Sequence, residues 1–485
     1  MSRTRAICSL CVIAVLAVVL GGCNPAKSDL NKFNNYFKTE YLAGPALEES
    51  VAFAQSRTGM VLSDKELEKG KTVKKGRKPK AEDLLWTMQL GCLERLRQNH
   101  EKSTEYFDKS EEMLNYFDQQ NQLADSVAKI LVSENVVAYL GTEYDGIMVN
   151  TYKALNFMTL GQRDLARVEF NRALDRQRRA VEKFAKEVQK LKKQIDQEEK
   201  EKKKEAPVKK NIENPKVKEL IAKTYPGLYE FKAYPDFVNP FATYMAGIFF
   251  NLDGDYAKAA PLLKESYGMV SDNEYIAQDL AATEKILNGA GQLDNMVWVI
   301  FENGLGPVKE EFRIDIPLFM ATDKVRYVGI ALPKLVSRAH ACPHLSVKAD
   351  GCAYTTQLVA DMDRVIQTEF NKDFKGILAR AIISATTKAV AQYALQDDSS
   401  KGSAFASIFM AVYSLATTAA DVRIWTTLPR DFQVARLSIP ADRCLTIVPP
   451  GAAPFEVKIP PCKNALVYVR MPFNQARAVC DVITY

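Results

Sequence analysis

Apolar residues recur at helical intervals over the first 290 residues of the chain and at strand intervals after them. In the stretch from 146 to 177 the small and aromatic residues follow each other at intervals of three, nine, four and three positions: Ala154, Phe157, Ala166, Phe170 and Ala173. Intervals of three and four bring side chains onto one face of a helix. Gly161 interrupts the pattern before polar residues, as in a turn between helices. The stretch therefore predicts two helices packed through small and aromatic side chains.

Two further segments carry small residues at matching positions. The first runs from 84 to 114, with Leu90, Gly91, Ser103, Phe107 and Ser110. The second runs from 241 to 267, with Ala246, Gly247, Phe250, Ala259, Leu263 and Ser266. The pattern resembles the tetratricopeptide repeat (TPR), a helix-turn-helix unit of about 34 residues. The alternative is a generic helical bundle, because amphipathic helices alone can mimic a repeat.

Stacked repeats of this kind leave an inner groove lined by the first helix of each pair. The side chains expected to face a partner there are Met88, Arg95, Thr151, Met158, Tyr244 and Asn251. A groove this apolar suits an extended or helical protein segment, and methionine allows adaptable packing. The alternative is that a neighbouring domain of the same chain fills the groove.

After residue 290 the pattern changes to short alternating runs. Residues 295–318 predict strands joined by a Gly-Pro turn, and further strands are expected at 325–335 and between 432 and 472. Leu358–Phe370 and Phe374–Leu395 predict two amphipathic helices. The uncharged run from 402 to 420 is expected to be a buried helix rather than a membrane span. The fold class is therefore α+β: TPR-like helices over 24–290, then a mixed domain over 291–485 with a mostly antiparallel sheet.

A charged insert at about 183–216 separates the second and third helical pairs. Its start carries apolar residues at heptad-like spacing, so the preceding helix should continue into it. Beyond that, Lys and Glu alternate without an apolar face, which is typical of a solvated helix ending in a linker. The other interpretation is a basic contact with anionic lipid or with the cell wall, in which case the protein is a tether.

The first 23 residues predict export and lipid attachment. Arg3 and Arg5 precede a short apolar run that ends in Leu-Gly-Gly-Cys, which resembles the bacterial lipobox. Cleavage there leaves Cys23 first, carrying diacylglycerol and an amide-linked fatty acid such as palmitate. Position 24 is Asn and not the Asp of inner-membrane retention, so we expect the periplasmic face of the outer membrane. The alternatives are an ordinary signal peptide or a membrane anchor. The net charge of +6 is small for 485 residues and gives no support for a nucleic-acid partner.

The candidate chemistry is concentrated in one short motif. His340, Cys342 and His344 are followed by Cys352, and four such ligands can hold zinc or copper. In an exported protein, Cys342 and Cys352 are more often a disulfide, and Cys444, Cys462 and Cys480 can supply another pair. No phosphate-binding loop or nucleophile elbow is present. We therefore expect neither an enzyme nor a cofactor.

Four segments together resemble an uncharacterised family of bacterial TPR-containing envelope lipoproteins: residues 143–177, 302–319, 325–333 and 420–429. The resemblance implies a repeat domain followed by an α+β domain, with no known activity. It also implies partners among lipoproteins of cell-wall synthesis, because such proteins occur beside lipoproteins similar to activators of penicillin-binding proteins. The expected function is a lipid-anchored adaptor that binds other envelope proteins through its groove. The runner-up is a metal-binding protein that uses His340, Cys342 and His344.

Overall fold

The structure is a computed structural model of the chain. It describes residues 25–44, 46–59, 79–80, 82–123, 138–202, 208–228, 234, 238–293, 295–319, 325–396 and 419–485. The signal peptide with Cys23 and most of the uncharged run from 402 to 420 lie outside these ranges.

Helices dominate the first part of the described chain. In chain order they are α1 (Pro25–Ala43), α2 (Glu48–Arg57), α3 (Asp83–Leu96), α4 (His100–Leu123), α5 (Glu143–Thr159), α6 (Arg163–Lys202), α7 (Val208–Ile212), α8 (Pro215–Thr224), α9 (Pro240–Leu252), α10 (Tyr256–Met269), α11 (Glu274–Leu287) and, within the later part, α12 (Met362–Gln396). The pairs α3–α4, α5–α6 and α9–α10 each pack closely across a short turn. The prediction of a helical region followed by a sheet-containing α+β region is confirmed.

Local sequence sets where these helices begin and end. Thr142 and Asp145 form a capping box before α5, in which each side chain accepts a hydrogen bond from the other's backbone N–H. Asn239 and Asn273 cap α9 and α11, and each side chain accepts hydrogen bonds from the backbone N–H groups two and three residues later. Gly161 turns the chain between α5 and α6 with φ of 72°, a conformation that side chains with a Cβ rarely adopt.

The helix pairs approach each other where the sequence carries small residues. Ala154, Ala166, Ala173 and Ala259 are fully buried, as is Phe170. A Cβ atom on Gly247 would lie 2.9 Å from Leu263 Cδ2, so this glycine sits where α9 and α10 touch. Phe157 is only half-buried against the core. The small-residue positions are therefore contacts between helices.

Among the described residues of the second part of the chain, strands form three sheets. They are β1 (Met296–Asn303), β2 (Val308–Phe319), β3 (Val325–Val336), β4 (Ser346–Ala349), β5 (Cys352–Thr355), β6 (Gln357–Asp361), β7 (Asp431–Ser438), β8 (Cys444–Val448), β9 (Phe455–Lys458), β10 (Asn464–Met471) and β11 (Val479–Thr484). The largest sheet has the order β11-β10-β1-β7-β6, in which only the β1–β10 pair is parallel within the described strands. The expected mostly antiparallel sheet is confirmed.

The two strands predicted on either side of Gly306-Pro307 are present, as β1 and β2, but they belong to different sheets: β1 pairs with β7 and β10, and β2 pairs with β3 in a separate hairpin. The boundaries predicted for the next helices are wrong. Leu358 to Asp361 is strand, paired with β7, and the single helix α12 follows it without a break at Asn371. Local apolar spacing did not reveal the strand because its pairing partner is distant in sequence.

The charged insert begins as a continuation of α6, as expected, but part of it is packed. Ile195 of α6 and Ile212 of α7 contact Ile383 of α12. Val217 and Ile221 of α8 belong to a second small core formed with the β2–β3 hairpin and α12. Ile195 and Ile212 are therefore packed residues of the insert, and Val217 and Ile221 follow it directly; residues 203–207 lie outside the described ranges.

One main core crosses residue 290. It contains side chains of α1, α3, α5 and α9 together with those of β1, β7 and β10. The helical region and the large sheet therefore share their apolar interior.

Candidate functional site

The inner wall of the helical region, which is the surface of α3, α5 and α9 that was expected to line a groove, is buried. All six side chains expected to face a partner are buried, with relative exposures between 0% and 6%: Met88, Arg95, Thr151, Met158, Tyr244 and Asn251. The groove predicted from the sequence is therefore already filled. This corrects the expectation of an open peptide-binding surface there.

The chain's own second part fills the wall at α3 and α5. The guanidinium of Arg95 lies 4.8 Å from the ring centre of Tyr152 in α5 and 5.3 Å from that of Tyr468 in β10. Gln89 donates from Nε2 to Thr426 Oγ1 at 2.9 Å, and its Oε1 accepts from the backbone N–H of Thr427 at 3.1 Å. These contacts join the helices to the segment before β7.

Side chains from the second part of the chain also cover the inner wall at α9. The rings of Phe241 and Phe432 stack with centroids 3.5 Å apart. Tyr244 donates to Asp279 Oδ2 at 2.8 Å, and Trp298 Nε1 donates to Asp279 Oδ1 at 3.0 Å. Burial raises the pKa of Asp279 to about 6, although Arg436 and the two donors oppose that shift. A carboxyl group in α11 thus links an inner-wall tyrosine to the sheet.

His340, Cys342 and His344 lie in the loop between β3 and β4, and the loop does not bring their side chains together as metal ligands. Within the described residues, no group of three or more His, Cys, Asp or Glu side chains has an arrangement that could hold a metal. Cys342 is buried and its Sγ donates to the carbonyl of His344, whereas Cys352 is exposed at the start of β5. Both are free thiols, as are Cys444, Cys462 and Cys480, so the expected disulfides are not formed. The two thiols lie in different surroundings, Cys342 buried in the loop and bonded to its backbone, and Cys352 exposed at the end of a strand.

His340 pairs with a buried carboxylate instead. Its Nδ1 lies 2.7 Å from Asp431 Oδ2, and its side chain is 48% exposed. Asn303 donates from Nδ2 to Asp431 and accepts from the backbone N–H of Cys342 at 3.3 Å. Gln433 also donates to Asp431, at 2.9 Å. The pair fixes the loop to the ends of β1 and β7.

An open, strongly charged cleft of about 420 Å³ lies on the other side of the helical region. Its walls are α4 and α6, with α5 at the floor. The lining residues are Asp108, Glu111, Glu112, Asn115, Lys153, Arg172, Arg176 and Arg179. The α4 wall is acidic and the α6 wall is basic, so the cleft presents both charges to solvent.

Lys153 organises the floor of this cleft. Its side chain is 3% exposed and lies 2.8 Å from Asp108, 2.6 Å from Glu111 and 3.0 Å from Glu169. Burial lowers the pKa of Lys153, but the three carboxylates outweigh burial and hold it above its ordinary value. Burial raises the pKa of Glu111, but Lys153 and Asn150 more than offset it and the net shift is downward. Both groups are charged at neutral pH, so the floor is a network of ion pairs.

Sequence reasoning missed this network, although one signal was present. Lys153 is the one basic residue of α5, a helix that is otherwise almost wholly buried. A lysine on an otherwise buried helix needs carboxylate partners, because a buried charge without partners is strongly destabilising. Asp108, Glu111 and Glu112, spaced for one face of α4, were the available partners.

Comparison with protein-family models, with curated proteins and with solved structures gave no match. The family resemblance noted from the sequence stays a prediction. None of the helices in the described part of the chain combines the length and the hydrophobicity that a membrane crossing requires.

Proposed function

We propose that this protein is a lipid-anchored adaptor of the bacterial cell envelope that binds other envelope proteins through the outer face of its TPR-like helices. The observation that carries the proposal is the charged cleft between α4 and α6, which remains open while the inner wall is filled. Polar, charged surfaces of this kind serve selective recognition, because a partner must match both signs of charge.

The anchor belongs to the same proposal. Lipid attachment at Cys23 follows from the Leu-Gly-Gly-Cys sequence, and α1 begins only two residues later, at Pro25. Two extended residues span at most about 7 Å. The chain is already helical over residues 25–31. The folded body is therefore expected to sit directly on the periplasmic face of the outer membrane.

A crosslinked pull-down from membranes tests the proposal. The lipidated protein should capture specific envelope proteins, with lipoproteins of cell-wall synthesis expected among them. Reversing two exposed cleft charges, Glu112→Lys with Arg179→Glu, should reduce that capture at least about tenfold, because like charges would then face the partner. Both side chains are largely exposed, at 64% and 66%, so the fold should be retained.

A matched control separates the cleft from general charge effects. Lys264→Glu with Glu284→Lys makes the same exchange on exposed positions of α10 and α11. Capture should be unchanged in this control. An equal loss in both variants, or no specific capture by the original protein, would refute the adaptor proposal.

A further inference from the structure

Helix α1 buries one side against the body of the protein and exposes the other. Phe33, Phe37 and Tyr41 are buried, and the ring centre of Phe37 lies 5.3 Å from that of Phe473 in the loop between β10 and β11. Tyr41 donates from its hydroxyl to the carbonyl of Arg477 in the same loop, at 2.9 Å. These contacts fix the rotation of α1 about its own axis, and therefore also the side chains that it presents outward.

The outward side of α1 carries basic and apolar side chains together. Lys32 and Lys38 are exposed, as is the neighbouring Arg477. Tyr36 is 39% exposed, and Leu42, at 50%, has the highest exposure among the large hydrophobic side chains of the described residues. A helix turns about 100° per residue, so Leu42 points between Lys32 and Lys38. Apolar and aromatic side chains among cations are typical of a helix that lies at a membrane interface.

The acidic side chains of α1 lie toward α2 instead. Asp29 Oδ2 lies 2.9 Å from Arg57 Nε, and Glu40 accepts from the backbone N–H of Glu49 at 2.7 Å, at the start of α2. Glu48 and Glu49 are exposed, but they belong to that second helix. The carboxylates and the two exposed lysines of α1 therefore occupy different sides of the helix.

The position expected to carry the lipid is two residues before α1. Because two extended residues span at most about 7 Å, the start of α1 is held close to the leaflet that receives the acyl chains. Lys32 and Lys38 follow Pro25 by seven and thirteen residues, which places them about 10 Å and 20 Å along the helix. The tether thus keeps both lysines at a high effective concentration beside the membrane surface.

We propose that the outward side of α1, with the adjoining β10–β11 loop, lies on anionic phospholipid headgroups of the leaflet that holds the lipid of Cys23. This anchor face consists of Lys32, Tyr36, Lys38, Leu42 and Arg477. The inference rests on the lipid anchor of the proposed function and names the membrane lipid that the protein contacts beside it. The three cations attract anionic headgroups such as phosphatidylglycerol, and the two apolar side chains enter the boundary between headgroups and acyl chains.

Lysine labelling of the lipidated protein tests the anchor face. The protein is inserted through its lipid into vesicles of phosphatidylethanolamine with phosphatidylglycerol, and a membrane-impermeant reagent acetylates the accessible lysines. Acetylation of Lys32 and Lys38, measured by mass spectrometry, should be at least about threefold lower than in the same mature chain without lipid, because headgroups cover the two amines. Lys264 and Lys285, exposed on α10 and α11, are the internal control and should change less than about 1.5-fold, since they are outside the anchor face.

Vesicle composition identifies the charge of the lipid. In vesicles of phosphatidylcholine alone, the protection of Lys32 and Lys38 should fall to less than about half, because the surface then has no net negative charge. Protection of equal size with and without phosphatidylglycerol would contradict the proposed contact with anionic headgroups.

Charge reversal locates the contact independently of the lipid anchor. In the mature chain without lipid, Lys32→Glu, Lys38→Glu and Arg477→Glu together should lower co-sedimentation with phosphatidylglycerol vesicles at low ionic strength at least about threefold, since attraction becomes repulsion at each position. A matched control makes the same change in net charge at three exposed positions elsewhere and should stay within about 1.5-fold of the original chain. Its substitutions are Lys264→Glu, Lys285→Glu and Lys348→Glu.

Three further results would overturn the proposal: unchanged acetylation of Lys32 and Lys38 on vesicles, equal protection of the control lysines, and equal loss in both charge variants. The mass of the N-terminal peptide, measured in the same samples, separates this inference from the anchor. If the peptide carries the lipid while Lys32 and Lys38 stay reactive, the anchor face is wrong and the adaptor proposal stands. If Cys23 carries no lipid in the protein purified from membranes, the anchor of the proposed function is wrong, and the anchor face fails with it.

Discussion

Gly91 shows how a single residue sets the distance between two helices. A Cβ atom built on it would come closer to the ring of Phe107 than real Cβ atoms approach other atoms. Ser103, on the same side of α4, donates to the Gly91 carbonyl at 2.8 Å. The backbones of α3 and α4 therefore approach each other closely at this position.

Gly91→Ala should lower the free energy of unfolding by about 1–3 kcal/mol, the usual effect of inserting a methyl group into a packed core. Gly268→Ala is the matched control, because its Cβ would meet nothing within 4 Å. In the helix α10 that change should raise the free energy of unfolding by about 0.5–1 kcal/mol. Urea unfolding of both variants measures the difference. Equal stability of the two would show that α3 and α4 are not in close contact.

Asp279 makes stability depend on pH. The pKa of this buried carboxyl is about 6 in the folded chain, raised chiefly by burial, against about 3.9 for an unfolded Asp. Between these values the folded state binds the proton that the unfolded state has lost. The contribution of Asp279 is therefore fully present below about pH 4 and is lost as pH rises to about 6.

Asp279→Asn removes this titration. The free energy of unfolding of the original chain relative to the variant should fall as pH rises from about 4 to about 6, by at most about 3 kcal/mol, and stay level above that. Urea midpoints of both proteins over this pH range give the difference directly, since other titrating groups are common to both. A difference that rises with pH, or does not change, contradicts the assignment.

At the scale of elements, local pattern predicted the helices well and the sheet partners poorly. The spacing of Ala154, Ala166 and Ala173 was enough to place α5 and α6, because helical contacts are local in sequence. β1 is buried along nearly its whole length, so it reads as a continuous apolar run. Its neighbours begin at Asp431 and Asn464, and nothing in the local pattern of β1 identifies partners so distant.

Some features of the candidate sites could likewise be predicted from the sequence, and others depend on tertiary contacts. The single lysine of α5 and the acidic face of α4 were visible in the sequence, and together they could have predicted the floor of the charged cleft. The partner of His340 could not be predicted, because Asp431 is 91 residues away and reaches the loop only through the sheet. The closure of the inner wall likewise depends on tertiary contacts such as that between Arg95 and Tyr468.

At the scale of the whole molecule, the closed wall implies that the helical region depends on the sheet. Glu302 and Arg470 form a buried ion pair at 2.8 Å beneath the inner wall, and Tyr468 donates to Glu302 at 2.5 Å. Separating the two parts would expose these charges and the apolar side chains around them. A large exposed apolar surface destabilises an isolated fragment and promotes its association.

A fragment of residues 24–290 should therefore lack a cooperative unfolding transition and bind the dye ANS, because its inner wall, including Met88 and Phe241, would face water. Co-expression with residues 291–485 is the control, and it should restore a soluble complex with low dye binding. Calorimetry and ANS fluorescence on the fragment, the complex and the full chain make the comparison. A monomeric fragment with a sharp transition and no dye binding would mean that the helices are stable without the sheet. The inner wall could then open to a partner, and the case for recognition on the outer face would weaken.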